Sequence, residues 1–155
     1  RSKGLTGGYL PMSVTLTSDK VYSAFYDDDI KKGFLHSHSY TGNPLACSAA
    51  LGTLSIFESD KVLKKNLILS KKINRLFSSL EDLPISDLRN IGMIWAFELD
   101  SKISIDKVLA YSLNNGVLIR PIDNTIYFMP PYCIKETEAR EMIKITREAI
   151  LNAIT

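Results

Sequence analysis

Lys3 stands in Ser2-Lys3-Gly4-Leu5-Thr6-Gly7-Gly8, just ahead of a run rich in β-formers. A lysine held at a turn beside glycines can lose its proton more readily and attack a carbonyl. The glycines would let backbone approach a bulky cofactor. A solvated lysine with no chemical role has the same local sequence. Further along, His36, Ser37, His38, Ser39 and Thr41 crowd one polar stretch. Two histidines one residue apart can bind a metal, but no Cys, Asp or Glu at useful spacing completes a ligand set, so no metal is expected. Hydroxyls and backbone N–H groups ahead of a helix can instead hold a phosphate, helped by the helix dipole. An ordinary polar loop fits as well. Arg120 sits between apolar residues in Val117-Leu118-Ile119-Arg120-Pro121. Such a guanidinium either reaches into a cleft, where it can grip a carboxylate bidentately, or lies solvated on an edge strand. Tyr127 lies on the other side of a proposed hairpin, so both side chains could face one cleft if the register allows.

These residues need elements to hold them. Residues 4–11 read as a loop with three glycines and a proline, and residues 12–17 (MSVTLT) as a buried strand. Ser18-Asp19 looks like a helix start, followed by the short apolar stripe Val21, Tyr22 and Phe25. Asn43 and Pro44 mark the cap and first turn of a helix over 44–58. Its small residues predict close packing against another element. A second helical pattern covers 60–81, with lysines on the polar face. Beyond Pro84, residues 88–99 read as one strand with a central glycine, carrying Trp95 and Phe97 into the core. A helix over 105–115 stops at Asn114-Asn115-Gly116. Short strands at 117–121 and 125–129 flank the turn Asp123-Asn124. An amphipathic helix runs from about Lys135 to about residue 152. The fold class is α/β: residues 1–58 as the end of a strand–helix domain, 59–82 as a linking helix, and 83–155 as a small α+β domain with three strands and two helices.

Composition narrows the function classes. The chain has 155 residues, 45% hydrophobic and 23% charged, which is ordinary for a globular protein and excludes disorder. Nineteen Lys and Arg against 17 Asp and Glu leave a charge of +2, too small a basic excess for a binder of nucleic-acid phosphates. No apolar run has the ~20 residues of a membrane span. Cys47 and Cys133 are far apart, so a disulfide framework is not expected and a reducing, cytoplasmic setting is. The chain opens on Arg1 and reaches chemistry-bearing residues by position 3, which reads as the C-terminal part of a longer protein.

Three stretches, in this order, resemble the class III aminotransferases that use pyridoxal 5'-phosphate (PLP): SKGLTGGYLPMSVTLT, HSHSYTGNPLACSAALGTLSIFE and GVLIRPIDNTIYFMPPY. The resemblance covers essentially the whole chain. It implies the end of a fold type I large domain followed by the small C-terminal domain. Lys3 matches the lysine that forms the Schiff base with PLP and later shuttles the proton. Ser39 matches a hydroxyl residue that reaches the cofactor phosphate of the neighbouring subunit in a homodimer, and His38 replaces what is often a proline there. Ser37 falls in a substrate-lining stretch. Arg120 matches an arginine that binds the substrate carboxylate. Tyr127 stands where many members carry an arginine for an α-carboxylate, which suits a substrate whose carboxylate is far from the reacting amine. Within the family the pattern is similar to the branch that aminates 8-amino-7-oxononanoate to 7,8-diaminononanoate in biotin synthesis, usually with S-adenosylmethionine as donor, and for some members lysine. A class III enzyme acting on other ω-amino acids, or a non-catalytic domain that only packs or dimerises, are the alternatives. The family's phosphate loop, ring-stacking aromatic and acidic partner for the pyridine nitrogen precede the lysine and have no match here. These 155 residues alone are therefore expected to lack useful activity.

Overall fold

The computed structural model describes residues 3–36 and 38–154. The chain divides between Lys61 and Val62 into two units. In the first, a 3-10 turn (Lys3–Thr6) is followed by a short helix α1 (Asp19–Ser23), a second 3-10 turn (Ile30–Lys32) and helix α2 (Pro44–Ser59). The start of α2 follows from its cap. The Asn43 side chain accepts hydrogen bonds from the N–H groups of Leu45 (2.9 Å) and Ala46 (3.4 Å), and Pro44 occupies the first turn, where its missing N–H costs nothing. The expected strand at 12–17 is not formed. A strand needs a hydrogen-bonded neighbour, and every described strand lies in the second unit. Few side chains of the first unit are enclosed: Thr6, Ala46 and Ala50 are buried, whereas Tyr26, Ile30, Phe34 and Leu35 are exposed.

The second unit begins with α3 (Val62–Phe77), which tightens into a 3-10 turn at Ser78–Leu80. Helix α3 thus shares a unit with the sheet. Its inward face is Asn66, Ser70, Ile73 and Phe77, at helical spacing. The two polar members find backbone acceptors: Asn66 Nδ2 donates to the Val62 carbonyl (3.0 Å), and Ser70 Oγ to that of Gly92.

The sheet is antiparallel, in the order β1-β2-β4-β3, where β1 is Ile85–Ile91, β2 Ile94–Leu99, β3 Arg120–Ile122 and β4 Thr125–Phe128. One expectation is corrected. The single strand at 88–99 is a hairpin, so residues 83–155 hold four described strands rather than three, with the two expected helices. Ile91 pairs with Ile94 across Gly92-Met93, and Gly92 has φ +57°. A two-residue hairpin loop requires that left-handed backbone, which glycine adopts without a Cβ penalty. The apolar run on both sides of Gly92 hides this turn from composition.

Helix α4 (Ile105–Asn114) closes with two bonds, Gly116 N–H to the Leu113 carbonyl (3.0 Å) and Val117 N–H to that of Ser112 (2.8 Å). This is the paired capping that turns the chain back toward β3. Helix α5 (Glu136–Ile154) packs against α3 and α4. Alternation along β2 puts Trp95, Phe97 and Leu99 inside, opposite Phe128 and Ile126 of β4. The Trp95 ring stacks on Phe77 at 5.3 Å, and Ile73, Val108, Ile143 and Ile150 complete the core.

One surface clasp ties α5 to the turn after α3. Arg147 grips both Asp82 carboxylate oxygens at 2.5 Å and also donates to the Ser79 carbonyl. The guanidinium holds the Asp82 carboxyl below its usual range. A carboxylate with a lowered folded value supports the fold above the ordinary carboxylate range and loses that support as pH falls through the lowered value. Asp82→Asn is therefore expected to lower Tm at neutral pH, with the difference shrinking as pH falls through the lowered Asp82 value. Thermal melts across pH check this; an offset that stays constant into acid contradicts it.

Candidate functional site

The lysine loop is built by its neighbours. Lys3 opens the first 3-10 turn with φ +60°, a left-handed conformation uncommon outside glycine. Its side chain is exposed and makes no hydrogen bond or ion pair among the described residues. The turn packs on α2. Thr6 is buried beneath it: its hydroxyl donates to the Leu10 carbonyl and accepts from the Leu10 N–H (3.3 Å). Gly7 has φ +65°, and a Cβ there would lie 3.3 Å from Thr53 Oγ1 on α2. A side chain there would be strained by the left-handed backbone and would crowd Thr53. Ala46 and Ala50 are the buried residues of α2.

Ser39 lies in the turn that leads into α2, and it is exposed. His38 shapes that turn twice over. Its carbonyl accepts from Thr41 N–H (2.9 Å), and its Nδ1 accepts from Tyr40 N–H (3.2 Å). One ring nitrogen is thus committed to the backbone. His36 lies with its ring 5.8 Å from that of Phe34. Among the described residues no group of three His, Cys, Asp or Glu could hold a metal ion. Ser37 lies outside the described residues.

In the second unit the hairpin register decides the geometry. Arg120 on β3 is the direct cross-strand partner of Tyr127 on β4. Side chains opposite each other in an antiparallel pair point to the same face. Both line one cleft of about 640 Å³ between the hairpin and the first turns of α5. Arg120 makes no hydrogen bond or ion pair among the described residues, although it is a five-donor cation. An unpaired guanidinium beside a phenol hydroxyl is chemically suited to a planar anion such as a carboxylate.

The remaining walls were not legible as a site in the sequence. Met129, Pro130 and Ile134 come from the segment after β4, and Glu138, Glu141 and Met142 from α5. Glu138 is partly used, since its Oε2 accepts from Lys135 N–H (2.7 Å) at the helix start. The spacing of the two glutamates shows only that they share a helix face. It takes the docking of α5 beside the hairpin to bring them to the cleft that Arg120 lines. Lys3 and Ser39 belong to the first unit, and Arg120 and Tyr127 to the second.

Comparison with known proteins places this geometry. The family model for class III aminotransferases matches residues 1–150. The chain is 45% identical over 152 residues to the adenosylmethionine-8-amino-7-oxononanoate aminotransferase of Helicobacter pylori, covering 92% of this chain and 35% of that protein. It is 34% identical over 166 residues to the protein of that name from Nitratidesulfovibrio vulgaris, covering 97% of this chain and 30% of the relative. The crystal structure of the Methanocaldococcus jannaschii enzyme of the same name superposes with a TM-score of 0.88 at 35% identity, over 99% of this chain and 38% of that one. A Bacillus anthracis aminotransferase superposes with a TM-score of 0.85 at 26% identity, over 97% of this chain and 38% of that one. The chain thus spans about a third of the length of the curated relatives it matches.

Proposed function

This chain belongs to the class III aminotransferase family, and we propose that it forms the lysine-bearing part of a PLP-dependent enzyme that aminates 8-amino-7-oxononanoate to 7,8-diaminononanoate, with S-adenosylmethionine as amino donor. The relatives' names support the substrate and donor. The observation that carries the reading on this chain's own residues is the pairing of Arg120 with Tyr127 at one cleft. A substrate with a carboxylate far from its reacting amine needs one anion anchor at a distance, and Arg120 supplies it. A tyrosine opposite it hydrogen-bonds without adding the second positive charge that an α-carboxylate would demand.

The donor set fits the cofactor. A primary amine that is exposed and unengaged among the described residues can condense with an aldehyde, and a free hydroxyl can donate to a phosphate. Lys3 would hold PLP, and Ser39 would bind its phosphate from across a homodimer. When bound, PLP supplies the electron sink that makes a proton on the substrate carbon removable. The Lys3 Nζ, once free, takes that proton and returns it. The left-handed backbone at Lys3 is the kind of local strain that gathers at functional turns, and α2 holds it in place. Ser37 would line the substrate path. The exposed apolar residues of the first unit, among them Phe34 and Leu35, favour coverage by further protein, as a homodimer subunit would provide.

Arg120→Ala tests the reading. In a complete subunit carrying this chain, KM for 8-amino-7-oxononanoate is expected to rise roughly 10- to 100-fold, the worth of a charge-assisted hydrogen bond. The half-reaction with the amino donor should keep its rate. An unchanged KM would remove Arg120 from the substrate site.

A further inference from the structure

Ser39 lies between two residues that fix its backbone. The His38 carbonyl accepts from Thr41 N–H at 2.9 Å, which closes a four-residue turn with Ser39 second in it. His38 Nδ1 accepts from Tyr40 N–H at 3.2 Å, on the third residue of the same turn. The Tyr40 carbonyl in turn accepts from Asn43 N–H (3.1 Å), so a second turn carries the chain to the cap of α2. The His38 and Tyr40 rings, one residue to either side of Ser39, stand 5.9 Å apart at 43°. Residues 38–41 are all exposed, and the Ser39 hydroxyl makes no hydrogen bond among the described residues. Exposed turn residues have little packing to hold them in one shape. The Nδ1 bond supplies a constraint that burial does not.

We infer that His38 is a positioning residue for the cofactor phosphate: its Nδ1, by holding Tyr40 N–H, keeps the turn in the shape that presents the Ser39 hydroxyl. The inference rests on the reading of Ser39 as a phosphate donor and adds what holds that donor ready. A side-chain acceptor that takes the N–H two residues on is the device of an Asx turn, with an imidazole nitrogen in place of the carboxamide oxygen. The N–H that it takes belongs to the peptide joining Ser39 to Tyr40. Holding that peptide fixes the backbone torsion on the C-terminal side of the Ser39 Cα, and so the direction in which the side chain leaves the turn. The contact between the two rings orders side chains, whereas the Nδ1 bond acts on the backbone of Ser39 itself. A donor ordered before its ligand arrives loses less freedom on binding, and the saving appears as affinity.

Equilibrium dialysis on a complete subunit carrying this chain tests this without any turnover. The probes are PLP and pyridoxal, which lacks the phosphate. His38→Ala and His38→Phe are expected to weaken PLP binding about 3- to 10-fold, the worth of one neutral hydrogen bond, and to leave pyridoxal binding unchanged. The phenylalanine keeps a ring beside Tyr40 but offers no acceptor. His38→Asn should return PLP affinity to within about twofold of the parent, because its Oδ1 can accept the same N–H. All three variants should melt with the parent, since His38 is exposed. Ser39→Ala is the control and should weaken PLP binding roughly 10- to 100-fold. If Ser39→Ala weakens PLP binding and His38→Ala does not, the inference is overturned and the phosphate role of Ser39 stands. Equal loss of PLP and pyridoxal in His38→Ala, or no recovery in His38→Asn, also overturns it. If Ser39→Ala leaves PLP affinity unchanged, the reading of Ser39 itself fails.

Discussion

Replacing Lys3 by alanine in a complete subunit carrying this chain is expected to reduce transamination by on the order of 10⁴-fold or more, because the residue would lose both covalent and proton-transfer roles. Lys3→Arg should be nearly as damaging. Arginine keeps the charge and much of the length, but it stays protonated at any working pH and cannot take a proton from carbon. The pair of variants therefore separates chemistry from electrostatics. Neither should unfold the protein, since the Lys3 side chain is exposed and the loop is held by Thr6 and Gly7 against α2. Melting curves that superpose on the parent, together with lost turnover, are the expected result. Substantial turnover in either variant would show that another group moves the proton.

The second large effect is on stability. Trp95 is fully buried, stacks on Phe77 with an interplanar angle of 6°, and donates from Nε1 to Asn74 Oδ1 at 3.3 Å. Trp95→Ala is expected to cost about 3–5 kcal/mol, combining lost transfer energy with a cavity that the β-sheet cannot close. That is a large share of a typical domain's ~5–15 kcal/mol. The loss should reach the cleft as well. Trp95 and Ala96 on β2 pair with Phe128 and Tyr127 on β4, so a loosened β2 frees the strand that aims Tyr127. Urea unfolding gives the cost directly. Trp95→Phe should recover part of it, and a change below about 1 kcal/mol for the alanine variant would contradict this packing.

Legibility in the sequence followed the range of the interactions. The α2 start was readable because Asn43 and Pro44 act on their own next residues. The hairpin bearing Arg120 and Tyr127 was readable because Asp123-Asn124 sets its register locally, with Ile122 opposite Thr125. The turn at Gly92 was not, since a lone glycine in an apolar run serves a strand or a turn equally well until pairing decides. Residues 12–17 have the composition of a strand, but no described strand lies in their unit to form a sheet with them, and composition cannot supply one. Asn66 and Ser70 on the inward face of α3 are not legible as buried, because the carbonyls that accept from Asn66 Nδ2 and Ser70 Oγ are backbone groups, one of them on a hairpin distant in sequence. The roles of Lys3 and Arg120 came from resemblance rather than spacing. What the structure adds is the seat of the lysine loop on α2 and the α5 wall of the cleft.

The central claim is that PLP is held by Lys3. A complete subunit carrying this chain would be loaded with PLP, reduced with borohydride, digested and mapped by mass spectrometry. The label is predicted on Lys3 alone, because a selective bond marks an assembled site. Label spread over exposed α3 lysines such as Lys64, Lys65 and Lys71, with Lys3 no more reactive than they are, would contradict the account.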